Sequence, residues 1–245
     1  MRKPFLTVVI PTLNEEKLLP RLLASLSSQV YRDFEVILID AKSKDKTVTL
    51  ARKFKRKIPG FKIYLSNKKN VGFQRNMGAG KAKGKYLVFF DADVVVPENF
   101  LDEVAAHLKK EKTELLTTWL MTENRKLQSR VIETTVNVMT EMAKMINKPF
   151  AGGYNLVVKR SLFKRMGGFD EEIVHGEDHE FTMRCYEAGV ELLILKYPRL
   201  FYSTRRFDKY GFFNVLKKDA TSAIQAMSGK PMKKLSFDYQ MGGEY

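Results

Sequence analysis

Three apolar runs constrain this chain more than any other feature. Each has the length of a strand, and each stops on polar residues. Leu6–Pro11 runs into Thr12-Leu13-Asn14, Phe34–Ile39 ends on Asp40, and Tyr86–Phe90 ends on Asp91-Ala92-Asp93. Helical patterns lie between and after them. Leu18, Leu19, Leu22, Leu23 and Leu26 recur on one helical face behind Glu15 and Glu16, where a helix N-terminus favours acids. A second helix is expected from about Asp45, with Val48, Ala51 and Phe54 inward. Phe61–Ser66 reads as a strand and Asn76–Lys83 as a short helix closed by Gly84. Pro97 suits a helix start, with Leu101, Val104, Ala105 and Leu108 as its inner face. Strands alternating with helices mean βαβ units and a mostly parallel sheet. Such sheets bind ligands beyond the carboxyl ends of their strands, so the polar strand ends form one candidate site.

The second half reads differently. Glu114–Thr122 is expected as a strand. Leu127, Val131, Val138, Met142 and Met145 suggest a long helix. Gly152-Gly153-Tyr154-Asn155 forms a loop before a short strand at Leu156–Val158, and Gly167-Gly168-Phe169-Asp170 a turn. Glu177–Ala188 reads as a helix capped by Gly189, followed by a strand at Val190–Leu195. From Tyr210, the spacing of Phe212, Leu216, Ala220, Ala223, Ile224 and Met227 predicts an amphipathic helix. There is no repeat, low-complexity tract or linker, so one domain with a C-terminal extension is expected.

Composition narrows the function. Hydrophobic residues make up 44% and charged residues 29%, which excludes a disordered, collagenous or coiled-coil chain. The single cysteine, Cys185, rules out an intramolecular disulfide and a cysteine zinc site, and suits a reducing compartment. Met1–Pro4 leads straight into a strand-like run without a signal-peptide pattern. No stretch of ~18 apolar residues spans a membrane. The net charge of +15 favours polyanionic partners: nucleic acid, anionic lipid headgroups or phosphorylated substrates. Much of it lies between Arg52 and Lys69, a run without an acid, and such runs also serve simply as solvated faces.

Two carboxylates at Asp91 and Asp93, flanked by Phe89-Phe90 and Val94-Val95-Val96, are costly to bury unless paired. A hard divalent cation, Mn²⁺ or Mg²⁺, would offset that cost and bridge to a diphosphate. The alternative is that both acids cap the helix near Pro97. Arg75, within Asn70-Val71-Gly72-Phe73-Gln74-Arg75-Asn76-Met77-Gly78, offers a fork that matches a phosphate, with Gly72 and Gly78 permitting tight turns; a solvated arginine is the alternative. Gly176-Glu177-Asp178 opens a helix whose dipole alone favours acids, yet a carboxylate there could also act as a general base. His175 and His179 flank it, as structural residues or as ligands.

Taken in order, these segments resemble the family 2 glycosyltransferases of the GT-A fold. The resemblance rests on Val9–Glu16, Ile37–Asp40 with Ser43, Asp45 and Thr47, Asn70-x-Gly72 with Arg75-Asn76-x-Gly78, Asp91-Ala92-Asp93, Gly167–Glu171 and Gly176–Asp178, over roughly residues 5–205. It implies an α/β GT-A fold: a Rossmann-like, mostly parallel sheet flanked by helices, with a helical C-terminal extension. The glycosyltransferase domain would be 1–205, with a nucleotide-binding half to about 95 and an acceptor half from about 96. Residues 206–245 would be a basic amphipathic extension. Pro11, Thr12, Asn14, Glu15 and Asp40 would hold the base and ribose of a nucleotide-diphosphate sugar, a UDP-sugar by preference. Arg75, Asp91 and Ala92 would lie along the nucleotide, and Asp93 with Asp91 would bind Mn²⁺ or Mg²⁺. Asp178 would be the catalytic base of an inverting transfer, with Glu177, Gly153, Arg205 and Arg206 toward sugar or acceptor. The acceptor would be a glycan or a lipid-linked hydroxyl or phosphate, reached from the cytoplasm with peripheral contact at an anionic membrane. Nucleic acid is not expected. The competing class is a non-catalytic basic α/β protein binding nucleic acid or an anionic surface. Two departures stand out. The family's Asp-Asp-Gly-Ser is here Asp40-Ala41-Lys42-Ser43, and the Gln-x-x-Arg-Trp motif of processive synthases is absent.

Overall fold

A computed structural model describes residues 3–123, 126–203, 205 and 211. The strands β1 (Leu6–Thr12), β2 (Phe34–Asp40), β3 (Lys62–Leu65) and β4 (Tyr86–Phe89) alternate with helices α1 (Leu19–Ser27), α2 (Thr47–Arg52) and α3 (Val71–Lys81). A two-residue strand β5 (Val94–Val95), α4 (Phe100–Lys110), β6 (Leu115–Thr122) and α5 (Leu127–Met145) follow. The chain continues through β7 (Leu156–Lys159), α6 (Arg160–Arg165), α7 (Glu177–Glu187) and β8 (Leu192–Tyr202).

The eight strands form one sheet in the order β3-β2-β1-β4-β7-β6-β8-β5. Its first half is parallel: β1 pairs with β2 and β4, and β2 with β3. The second half is stitched on by antiparallel β7, which lies between β4 and β6, while β8 runs parallel to β6 and carries β5 antiparallel on its far side. Every residue of β1 and β2 is buried, as a strand covered on both faces requires. Leu19, Leu22, Leu23 and Leu26 of α1 and Phe100, Leu101, Val104, Ala105 and Leu108 of α4 pack on one face. Leu162, Phe163, Phe169 and Phe181 pack on the other. Each such fully buried side chain contributes about 1.5–3 kcal/mol.

Helix α3 corrects the sequence expectation. It begins at Val71 rather than Asn76, because extended Asn70 caps it by accepting from the Phe73 N–H at 2.7 Å. Gly72 and Gly78 are therefore helical, not turn residues. Gly78 serves close packing instead: a Cβ there would lie 2.4 Å from Val9 Cγ1 on β1. Helix α5 also departs from a simple amphipathic reading. Ser129, Ile132, Asn137, Thr140 and Ala143 are buried, while Leu127, Val131, Val138, Met142 and Met145 are exposed. The expected helix from Tyr210 lies outside the described residues.

Gly78→Ala is expected to destabilise the fold. Overpacking costs roughly 1–3 kcal/mol, against a helix-propensity gain of up to about 1 kcal/mol. The urea midpoint should fall, and the double variant Gly78→Ala/Val9→Ala, which makes room for the methyl, should recover part of the loss. An unchanged midpoint for the single variant would contradict close α3–β1 packing.

Candidate active site

The carboxyl ends of β1, β2 and β4 do converge. At the end of β2, Asp40 is fully buried. One carboxylate oxygen accepts from the Ser43 N–H at 2.8 Å, and the other from Thr12 Oγ1 at 3.2 Å and from Ser43 Oγ. Asp40 thus ties the loop after β1 to the loop after β2. Asn14 sits in the left-handed region at φ 53°, a conformation asparagine tolerates well. There its N–H donates to Ser43 Oγ and its side-chain oxygen accepts from the Lys44 N–H, both at 2.8 Å. The Glu15 N–H donates to Thr47 Oγ1 at 2.7 Å. Pro11 lies within β1 beside Ile39. Ala41, where the family pattern has a second aspartate, is buried, and Lys42 beside it is exposed at φ 59°.

Arg75 sits at the centre. It is 2% exposed. Its Nη2 donates to Asp91 at 2.7 Å and its Nη1 to Glu177, while the guanidinium carbon stands 5.6 Å from the Phe169 ring centroid. Gly153 closes over it, and a Cβ there would meet Nη2 at 2.1 Å. Only glycine lets that loop approach so closely, and its N–H then donates to Asp178. Glu177 and Asp178 open α7 behind Gly176, which is left-handed at φ 86°. Ala92 is buried between the two aspartates. Asp93 faces Arg205 at 3.5 Å, and the same guanidinium forks onto both Glu15 oxygens at 2.9 and 3.0 Å. Arg206 lies outside the described residues.

The electrostatics divide the two α7 carboxylates. Burial, reinforced by Asp178, pushes Glu177 up to about 7 although Arg75 opposes the shift. Burial also works against ionisation of Asp178, but the charges of His179 and Arg75 and the Gly153 N–H outweigh it and hold Asp178 below the usual aspartate range. Environments that push neighbouring carboxyl groups apart mark acid–base assignments. His179 packs at a tilt against Phe150 with centroids 4.8 Å apart, and His175 also bears on Asp178.

Two residues of the α3 motif have roles the sequence reading missed. Gln74, 1% exposed, donates to the carbonyls of Thr12 at 3.0 Å and Ile39 at 2.7 Å, clamping the ends of β1 and β2 together. Asn76 donates to the Phe169 carbonyl and accepts from its N–H, fixing the turn before α7. The only sequence signal of Gln74 was its place beside Arg75; Asn76 stands in the motif Arg75-Asn76-x-Gly78, which gave no hint of this role.

A pH dependence follows from Glu177. Between the ordinary value of 4.5 and about 7, the native state keeps a proton that the unfolded chain has lost. Stability from this group therefore falls as pH rises through that window. Glu177→Gln should remove this slope, so its unfolding temperature should gain on the wild type between roughly pH 5 and 7. A difference constant across that range would contradict the protonated, buried glutamic acid.

The family model described as glycosyl transferase family 2 matches residues 7–167. Poly(ribitol-phosphate) beta-N-acetylglucosaminyltransferase TarS of Staphylococcus aureus is 27% identical over 207 residues, 82% of this chain but 35% of the relative. This chain thus spans about a third of that protein. A Methanococcus voltae protein named dolichyl N-acetyl-alpha-D-glucosaminyl phosphate 3-beta-D-2,3-diacetamido-2,3-dideoxy-beta-D-glucuronosyltransferase is 25% identical over 212 residues, 77% of this chain and 63% of the relative. Among solved structures, TarS residues 1–349 with UDP-GlcNAc give a TM-score of 0.66 at 23% identity, covering 81% of this chain and 58% of that one. The mannosyltransferase PcManGT of Pyrobaculum calidifontis, with GDP-Man and Mn²⁺, gives 0.75 at 21% identity, covering 94% and 64%. The fold is thus of the GT-A type. With two thirds of its length matched by the family model, the chain belongs to glycosyl transferase family 2.

Proposed function

We propose that this chain is a metal-dependent, inverting glycosyltransferase moving a sugar from a nucleotide-diphosphate sugar to an acceptor hydroxyl or phosphate. The observation that carries the reading is the convergence of Asp91, Glu177 and Asp178 about buried Arg75 beside the strand ends, with the Gly153 N–H donating to Asp178. In this reading the Pro11–Glu15 loop, pinned by Asp40 beneath it, receives base and ribose. Arg75, Asp91 and Ala92 line the diphosphate. Gly153 and Glu177 face the sugar or acceptor, with Arg205 and Arg206 on the phosphate side.

Among the described residues no group of three or more His, Cys, Asp or Glu could hold a metal ion. Two carboxylates, Asp91 and Asp93, nevertheless fit Mn²⁺ or Mg²⁺, which take one or two protein carboxylates and complete their shell with substrate phosphates and water. Bound there, the cation would supply charge stabilisation to the leaving diphosphate. The protein's own step is proton removal. Asp178 takes the proton of an acceptor hydroxyl, whose oxygen bonds to the anomeric carbon from the face opposite the diphosphate. The anomeric carbon–oxygen bond to the diphosphate breaks with its electron pair, and the configuration inverts. A phosphate acceptor, already ionised, needs no such base and would rely on nearby cationic groups.

UDP is the favoured nucleotide, since the TarS structure holds UDP-GlcNAc; the GDP-Man of PcManGT makes GDP the next candidate. The loss of the second aspartate at Ala41 bears on that choice. The names of the two sequence relatives both point to phosphate-bearing acceptors, a poly(ribitol-phosphate) and a dolichyl-linked phosphate, and a net charge of +15 suits such a substrate. A lipid-linked acceptor at the cytoplasmic face of a membrane fits this reading. The described helices include none long and apolar enough to cross the bilayer.

Two variants test the assignment. Asp93→Asn should abolish metal-dependent binding of a nucleoside diphosphate while the unfolding transition survives; unchanged affinity would remove the metal role. Asp178→Asn should keep donor binding and lower kcat by about 10²–10⁴-fold, the usual contribution of a positioned base. Near-wild-type turnover on a hydroxyl acceptor would place the base elsewhere.

A further inference from the structure

We infer that the outward face of α5 is a membrane-docking surface that lies on an anionic lipid bilayer. The helix presents its apolar side to solvent. Leu127, Val131, Val138, Met142 and Met145 line one side of it, exposed between 44% and 81%, with exposed Thr134 between Val131 and Val138, and Ile146 extends the patch just past its end at 65%. Asn137, Glu133 and Glu141 on its other side bind the protein. Asn137 donates to the Leu120 carbonyl at 2.9 Å and accepts from the Leu120 N–H at 3.0 Å, replacing a neighbouring strand at that point of β6. Glu141 accepts from Trp119 Nε1 at 2.9 Å, and Glu133 accepts from the Thr122 N–H at 3.3 Å and pairs with Arg199 at 3.5 Å. The helix is anchored by hydrogen bonds on one side and leaves its apolar stripe unburied on the other. Contiguous apolar exposure of this kind marks an interaction surface.

Charge selects the occupant. The two acids of α5 are Glu133 and Glu141, and both are engaged by the sheet. Of the charged residues that border the stripe, Glu141 is held by Trp119 Nε1, Arg130 is exposed, and exposed Lys126 stands at its start. The middle of β8 adds exposed Lys196 and Tyr197, with Lys196 and Arg199 over the Trp119 ring at 5.3 and 4.9 Å. An apolar stripe bordered by cations and an aromatic ring is the chemistry of a helix lying in a lipid interface, with the cations reaching the headgroups. Anionic headgroups reward each Lys or Arg near the surface, and the whole chain carries +15. The stripe does not span the bilayer: α5 carries Arg130, Glu133, Glu141 and Lys144 and is not apolar enough to cross one. Beyond Met145 the chain runs through Phe150, packed against His179, to Gly153 on Asp178. A bilayer seated on α5 would therefore lie next to the acceptor side of the site. Only this last point rests on the transferase reading; the docking itself does not.

The test is co-sedimentation of the full chain with vesicles of phosphatidylcholine alone and with added phosphatidylglycerol. Wild type should bind the anionic vesicles and bind the neutral ones weakly. Val138→Glu/Met142→Glu should bind anionic vesicles roughly tenfold more weakly or less, as expected when two apolar side chains leave an interface, with an unchanged unfolding temperature. Equal binding by this variant would overturn the proposal, pointing to another part of the chain. A drop in its unfolding temperature, or a change in its oligomeric state, would also overturn it, because the stripe would then be covered by protein. Nucleoside-diphosphate binding measured without vesicles separates the two readings: its loss in wild type strikes the transferase, while its presence leaves the docking result to stand alone.

Discussion

One buried guanidinium organises this molecule's chemistry. Arg75 takes Asp91 from the end of β4 on one nitrogen and Glu177 from the start of α7 on another, with Asp178 close enough to feel its charge. A desolvated arginine without such partners would be strongly destabilising, and so would the carboxylates without it. One positive charge is set against three carboxyl groups, of which Glu177 is the most deeply buried. Burial, reinforced by Asp178, pushes Glu177 up to about 7, while His179, Arg75 and the Gly153 N–H together hold Asp178 below the usual aspartate range. The requirement for glycine at 153 belongs to the same constraint, since its backbone lies directly on the guanidinium.

The loops above the parallel strands are ordered by a second, independent network. Asp40 and Gln74 act from below. The first gathers Thr12 and Ser43, and the second gathers the carbonyls at the ends of β1 and β2. Their polar groups are consumed in holding backbone, leaving the loop surface to meet a ligand. Preorganisation of this kind limits what binding must spend on ordering. Arg205 reaches from this network to the segment after β4, touching Glu15 of the first loop and Asp93.

The parallel half of the sheet and its polar strand ends were legible because fully buried strands are continuous apolar runs that stop where the site begins. Asp40, Asp91 and Asp93 could be placed at one edge on that basis alone. The start of α3 was not legible: Gly72 reads as a turn residue, and only the structure shows Asn70 closing the cap. Gln74 and Asn76 were hidden for a different reason, since a side chain that hydrogen-bonds distant backbone leaves no periodic trace. Helix α5 shows the limit of periodicity most clearly. The spacing of its apolar residues suggested a helix but not the direction of its faces. Here Asn137, Glu133 and Glu141 bind strand β6 and its neighbour β8, so the polar side packs inward.

The central claim is that the carboxylates at this sheet edge form a site for a metal-bound nucleoside diphosphate. Thermal unfolding with UDP, GDP, CDP and dTDP, each with and without Mn²⁺, tests it directly. A ligand held by the native state at a hundredfold excess over its Kd adds about 2.7 kcal/mol, several degrees for a chain of this size. The account predicts such a rise for one diphosphate, UDP first, and only with the metal present. No rise with any of the four, with or without Mn²⁺, would contradict it.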